Sequence, residues 1–377
     1  MTNLALKSVL HGWRRYLPVV IAVGISGLMM VVQAALAMGA FSLSAAPIRQ
    51  SQADLWIGPA DAVALDQSRG LSQLAVGRLW LDPDITRIEA YATPDYVSIG
   101  DNDETGQMGV VLGLQTGDGA MLLARAIPAP LRQRLTQPGS VVLDRSDARK
   151  LGLAVGDRVR VNRQSLQVAG LAEGVRAMFG TQLIASDLTA REVMQGGSGG
   201  GNAAFYLARL RPGADPQTVA ARLSEVIPVP EYRVWMPDDL AASTVRSWAL
   251  ESGAGTLFLA SSAIALVITL MVVSQTLGAA VAGAMREYAA LRAYGISFRS
   301  VQGVVMKQGL YVSAGALALT AVASALVLWV LHQRGVASDL PPALAAGVAA
   351  GLALTVVISN LFALRRLRRA DPASLLR

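Results

Sequence analysis

Residues 17–38 read LPVVIAVGISGLMMVVQAALAM, a stretch without one charge, and the charge-free run around it covers 16–48, between Arg15 and Arg49. About 20 apolar residues cross the hydrocarbon core of a bilayer, so the run is long enough to span. Three more follow: 252–285, between Glu251 and Arg286, then 308–333 and 340–364. A soluble core seldom produces four such runs, and composition agrees. The 377 residues are 53% hydrophobic and 16% charged, where a soluble globular chain carries about 25% charge. Lys7, Arg14 and Arg15 precede the first run, as they would in a signal peptide, but a signal's apolar core is only about 7–15 residues. The expectation is an uncleaved anchor with Pro18 in its first helical turn. Residues 1–15 are then a separate basic helix on the membrane surface.

The flanking charges set the orientation. Residues 1–15, the 286–307 loop and the 365–377 tail together carry twelve basic residues and two acids (Glu287 and Asp371), a net +10; the rest of the chain nets −3. Basic loops stay in the cytoplasm. Both termini, the 286–307 loop and the basic tail are therefore read as cytoplasmic, and the basic excess as a topology signal, with no nucleic acid as partner. The fold expected is a membrane α-helical protein with four transmembrane helices (16–48, 252–285, 308–333, 340–364). A large α+β extracytoplasmic domain, 49–251, is inserted between the first two. Helices 3 and 4 are joined outside by a turn at Asp339, Pro341 and Pro342. A 33-residue run makes a helix of ~50 Å against ~30 Å of hydrocarbon. Helices 1 and 2 either tilt strongly or continue outward as stalks, and their shared flanking of one domain favours stalks.

In 49–251, strands are expected at 53–57, 108–114, 140–143, 158–162, 166–171 and 203–210 from β-branched alternation. Helices are expected at 130–135, 146–151, 187–195 and 215–227, the last opened by Asp215-Pro216. Two subdomains fit the length, but no linker marks a boundary. Gly196-Gly-Ser-Gly-Gly-Gly201 lacks the Lys-Ser/Thr of a phosphate loop and reads as a loop. Asp101, Asp103 and Glu104 lack the Gly and Glu offsets of a calcium loop. With no Cys and only His11 and His332, thiolate zinc sites, iron–sulfur clusters, disulfides and cysteine nucleophiles are excluded, and no Ser/His/Asp triad can be placed. The chain also has no Gly-x4-Gly-Lys-Ser/Thr nucleotide loop.

No Asp, Glu, Lys or Arg lies within the four spans, where ion-driven transporters place theirs. Gln33, Gln275, Gln308, Tyr311 and Asn360 are the polar groups left for substrate or for helix packing, the commoner role. Gly347-Val-Ala-Ala-Gly351 favours close packing, within the chain or across a dimer. The loop after helix 2 differs: Met285-Arg-Glu-Tyr-Ala-Ala-Leu-Arg-Ala-Tyr-Gly-Ile296 reads as a short helix, ended by Gly295. Ala289, Ala290 and Ala293 give it a small face. Such a helix suits a groove on another protein.

That loop resembles the coupling segment of the MacB/FtsX-type ABC permeases, a Lys/Arg-Glu-(Ile/Tyr)-x-x-Leu-(Arg/Lys)-Ala-(hydrophobic)-Gly run after the second helix. Leu4-Ala-Leu-Lys-Ser-Val-Leu10 with Trp13-Arg-Arg-Tyr-Leu17 resembles the family's N-terminal helix. Arg369-Ala-Asp-Pro-Ala-Ser-Leu-Leu-Arg377 resembles its C-terminal ending. Ala53-Asp-Leu-Trp-Ile-Gly58 resembles the branch that holds the heterocyst glycolipid exporter permease and haem exporters. The resemblance implies a non-catalytic, homodimeric permease subunit of the bacterial inner membrane. A separate ABC ATPase that binds ATP and Mg would dock on Arg286, Glu287, Tyr288, Ala289, Ala290, Leu291, Arg292, Ala293, Tyr294, Gly295 and Ile296. It further implies force transmission to the periplasmic domain, export of a lipid, glycolipid or other amphiphile, and a periplasmic adaptor with an outer-membrane channel. Membrane lipids are further partners, and this chain itself needs no cofactor or metal. The other reading is an FtsX-like signal transmitter that activates an external cell-wall hydrolase.

Overall fold

The computed structural model describes residues 11–66, 68, 70–71, 77–100, 106–194, 203–226, 232–283 and 298–369. They form two compact units, Met1–Gly39 with Gly253–Arg377, and Ala40–Ser252. Among the described residues four helices are long and apolar enough to cross a membrane: membrane helix 1 (Trp13–Ser44), helix 2 (Gly253–Gly283), helix 3 (Phe298–Gln333) and helix 4 (Pro342–Arg369).

Their ends differ from the charge-free runs for local reasons. Helix 1 stops at Ser44, before the run ends at 48. Pro47 has no N–H to donate, and its ring would clash with the Leu43 carbonyl. A four-residue helix, α1 (Ala46–Arg49), follows. At the other end helix 1 begins at Trp13 with Pro18 inside it, and its membrane-length stretch begins at Tyr16. Helix 3 starts at Phe298, inside the stretch 286–307 read as loop, and helix 4 runs to Arg369, into the 365–377 tail. Charge limits what lies in hydrocarbon, but a helix can continue into water.

Within the membrane unit, Tyr16, Val19, Val23 and Met30 pack with Val273, Val312, Ala316, Leu352 and Val356. Gly24 and Gly27 make this approach possible. A Cβ on Gly24 would lie 2.5 Å from Leu319 Cδ2, and one on Gly27 2.5 Å from Thr320 Oγ1.

The external unit holds a four-stranded antiparallel sheet, in the order β10 (Tyr232–Trp235), β1 (Leu55–Pro59), β9 (Phe205–Leu210), β2 (Ile85–Tyr91). All five residues of β1 are buried because both faces are covered. On one side Leu55 and Ile57 meet Tyr206, Ala208 and Leu210 under Val219 and Leu223 of α5 (Pro216–Val226). On the other, Trp56 lies edge-on to Tyr91 and Phe205, with centroids at 5.7 and 6.2 Å. This side is closed by Met121, Leu122 and Leu123 and by Leu240 and Ala241 of α6 (Pro237–Leu250).

Between β2 and β9 the chain builds a second subdomain, a closed barrel of β3 (Asp95–Ile99), β4 (Gln107–Leu114), β8 (Thr181–Ser186), β5 (Ser140–Asp144), β7 (Gln164–Ala172) and β6 (Arg158–Val161), in that order round the barrel. Period-two alternation aims Val141 and Leu143 into the barrel core and Val142 into the core shared with the sheet. The barrel carries three short helices: α2 (Ala129–Arg134), α3 (Arg145–Leu151) and α4 (Asp187–Met194). Asp144 caps α3, accepting from Ser146 N at 2.9 Å. Asp215 opens α5, accepting from Thr218 N at 3.0 Å. The barrel is thus an insertion into the sheet, and the chain enters it through Ala92-Thr93-Pro94.

Glu89 is an anomaly in this core. It is 1% exposed, its Oε2 accepts from Met121 N and Leu122 N, and its Oε1 has no hydrogen-bond partner among the described residues. Burial raises its carboxyl above the ordinary value, against the pull of those N–H groups. The folded state therefore holds this proton more tightly than the unfolded chain, and wild type should gain stability relative to Glu89→Gln as pH falls. The gain ends near the unfolded value of about 4.3. Melting curves of both proteins between neutral pH and pH 4 check this; parallel curves at every pH would contradict it.

Candidate functional site

The expected docking residues Arg286–Ile296 lie outside the described residues, as do Leu4–Leu10, Asp101, Asp103, Glu104, Gly196–Gly201 and the tail from Asp371. Gln33 and Gln308, two of the polar groups of the spans, do not converge. Gln33 Nε2 donates to Ser261 Oγ at 2.5 Å, and Gln308, buried on helix 3, accepts from Tyr16 OH at 3.3 Å. Gln275 is exposed and Tyr311 half-buried, while Asn360 lies on helix 4. Gln33 and Gln308 are engaged between helices, each with a different partner.

The external unit presents a cleft that the sequence did not reveal. It encloses about 240 Å³. Leu43 and Pro47 form one wall, Tyr91 at the end of β2 the floor, and Tyr96 and Val110 of the barrel a second wall. Met178 and Phe179, in the loop before β8, and Trp248 of α6 complete it. Phe179 and Trp248 pack ring against ring at 6.0 Å. Antiparallel pairing puts Tyr96 opposite Val110 and Ser98 opposite Met108. The side chains at 96, 98, 108 and 110 therefore share the barrel's outer face. Tyr96 is 67% exposed, Met108 50% and Phe179 43%, so the apolar surface continues beyond the cleft.

The polar groups of the cleft are few. Burial pushes the Tyr91 phenol well above its usual range. Asp66 stands at the mouth, partly open to solvent. Burial raises its carboxyl, opposed by its own backbone and by the Trp248 indole. That indole is near enough to favour the charge but lies outside hydrogen-bond geometry. Apolar walls with a small number of orienting polar groups are the usual build of an organic-ligand site. Among the described residues no group of three or more His, Asp or Glu is placed to hold a metal.

Four membrane-length helices, with a sheet-and-barrel unit between the first two, define a multi-pass membrane protein with a large extracytoplasmic domain. Residues 19–226 match the MacB-like periplasmic core domain, and residues 259–372 match the FtsX-like permease C-terminal domain. The chain belongs to the MacB/FtsX family of ABC transporter permeases, and is a multi-pass protein of the bacterial inner membrane. Permeases of this family are in general non-catalytic and work with a separate ABC ATPase. The structure is similar to the periplasmic region of MacB from Actinobacillus actinomycetemcomitans, at 15% identity and a TM-score of 0.35 over 52% of this chain and 94% of that one. It is also similar to the extracellular domain of the noncanonic ABC-type transporter YknZ from Gram-positive bacteria, at 14% identity and a TM-score of 0.30 over 48% and 98%. No curated protein sequence matches the chain.

Proposed function

We propose that this chain is the permease subunit of an exporter for a lipid, glycolipid or other amphiphile. Motion of a separate ATPase passes through the 286–296 segment to the external unit. Both termini face the cytoplasm, and two copies assemble, with a periplasmic adaptor and an outer-membrane channel receiving the cargo, as in the branch of the heterocyst glycolipid exporter permease that Ala53–Gly58 resembles. One observation carries the choice of cargo: the aromatic cleft and the apolar barrel face beside it. Each methylene buried there is worth about 0.8 kcal/mol, so an alkyl chain is the natural occupant. The dimer is supported by the Gly347-Val-Ala-Ala-Gly351 spacing, whose glycine Cβ positions would meet nothing within 4 Å among the described residues.

The experiment reconstitutes the chain in proteoliposomes with and without its ATPase, and follows ATP hydrolysis and the loss of labelled lipid from the bilayer. The chain alone should not hydrolyse ATP, while the complex should both hydrolyse ATP and extract lipid. Phe179→Asp, a change on the exposed rim of the cleft, should cut extraction several-fold and leave basal hydrolysis in place. Hydrolysis by the chain alone would sink the reading. An active complex that extracts nothing, but activates a cell-wall hydrolase, would replace export by signal transmission.

A further inference from the structure

A second cavity, of about 250 Å³, lies elsewhere in the external unit, between Gln52, the 116–120 turn and Arg132 and Gln133 of α2. Three arginines hold this turn. Arg132, only 5% exposed, donates to Gln115 O at 2.9 Å and to Leu122 O at 2.7 Å. Arg87 and Arg209 face each other across β2 and β9. Arg87 donates to Asp118 O, and Arg209 donates to Gly119 O at 3.4 Å and Gln52 O at 3.2 Å. Gly119, at φ +75°, lets the turn come this close, since a Cβ there would lie 2.9 Å from Arg87 Nη1.

Among the described residues no carboxylate forms an ion pair with any of the three. A guanidinium carries five N–H donors; Arg132 makes two such bonds, Arg87 one and Arg209 three, the third to Gln52 Oε1 at 3.4 Å. The acid felt by both Arg87 and Arg132 is the buried Glu89. Clamping a turn needs no such excess of positive charge, and it needs no open cavity beside a nineteen-twentieths-buried arginine.

We infer that this cavity binds a phosphate-type anion, held by Arg132 with Gln52, Thr116 and Gln133, in the positive field of Arg87 and Arg209. The anion is free phosphate or the phosphate of an amphiphile's headgroup. Asp118, exposed at the rim, opposes binding and sets a ceiling on affinity. This site is separate from the aromatic cleft, and its test needs neither ATPase nor nucleotide, so it fails or stands apart from the export reading.

The test is calorimetric titration of the full chain in phosphatidylcholine nanodiscs with inorganic phosphate, with short-chain phosphatidate and with short-chain phosphatidylcholine. Both anions should bind saturably and the phosphatidylcholine should not. Phosphatidate binding more tightly than phosphate marks a headgroup as ligand, and equal affinities mark the free anion. Asp118→Asn should tighten binding about three- to tenfold, a gain that misfolding cannot imitate, and Gln133→Glu should weaken it by a similar factor. No saturable binding of either anion, or unchanged affinity in both variants, would overturn the inference.

Discussion

Ala293→Asp is expected to insert and dimerise as wild type does, yet to lose the ATPase. It lies outside the four apolar spans, so membrane insertion has no reason to change. In the proposed docking segment Ala289, Ala290 and Ala293 are the small residues expected to face the groove, and overfilling a packed groove costs about 1–3 kcal/mol. A carboxylate forced into that contact adds its own desolvation. Since 1.4 kcal/mol is tenfold in affinity, association should weaken by about ten- to a hundredfold or more. Stimulated hydrolysis should fall with it. Glu287→Ala tests the polar side of the same contact, because a partner cation would be left unpaired. The comparison is Gln217→Asp, an exposed position on α5, which should change nothing. Co-purification and hydrolysis rates decide the matter. If Ala293→Asp and Glu287→Ala both keep the full complex and full stimulation, the segment is a connector and the docking assignment is wrong.

Trp56→Ala carries the largest expected effect on stability. The indole is fully buried and touches the rings of Tyr91 and Phe205. Phe or Trp to Ala in a core costs about 3–5 kcal/mol, against about 5–15 kcal/mol for a whole domain. Unfolding of the external unit should move down by about 6–20 °C, at 2–4 °C per kcal/mol for a unit of this size. Trp80→Ala, at a position 52% exposed, is the control and should hardly shift. Thermal unfolding of the full chain read by near-ultraviolet dichroism separates the two, and equal melting of both variants would mean that the sheet core is not where the stability lies.

The spans were legible because the absence of charge over twenty residues needs no tertiary information. Strands β6 and β7 were legible from an alternation that survives where one face is buried, and β1, β4, β5 and β9 from short apolar runs. The others hide for physical reasons. Strand β2 points Glu89 into the core, where a sequence reader expects an apolar residue. Strand β8 is Thr-Gln-Leu-Ile-Ala-Ser, polar at both ends though almost wholly buried. The helix Pro237–Leu250 buries Thr244 and Ser247 beside Leu240 and Ala241, which blurs its apolar period. The chain enters the barrel by a three-residue passage with no change of composition. The cleft was out of reach because Tyr91, Tyr96, Phe179 and Trp248 come from separate segments that meet only after the barrel has closed.

Inserting a barrel into a sheet also dictates a timetable. The barrel strands all lie within residues 95–186, whereas β1 must wait for β9 and β10, about 150 and 175 residues later. During synthesis the chain emerges at about 5–20 residues per second. Strand β1, with Leu55, Trp56 and Ile57, is thus left for many seconds as an open edge, the kind of surface that pairs with the wrong neighbour. An already folded barrel shortens the free chain that must close, and each halving of a loop saves about 0.6 kcal/mol. The nascent protein therefore depends on its middle folding before its ends can meet, and a slow barrel would surface as aggregation of a sheet that is itself intact.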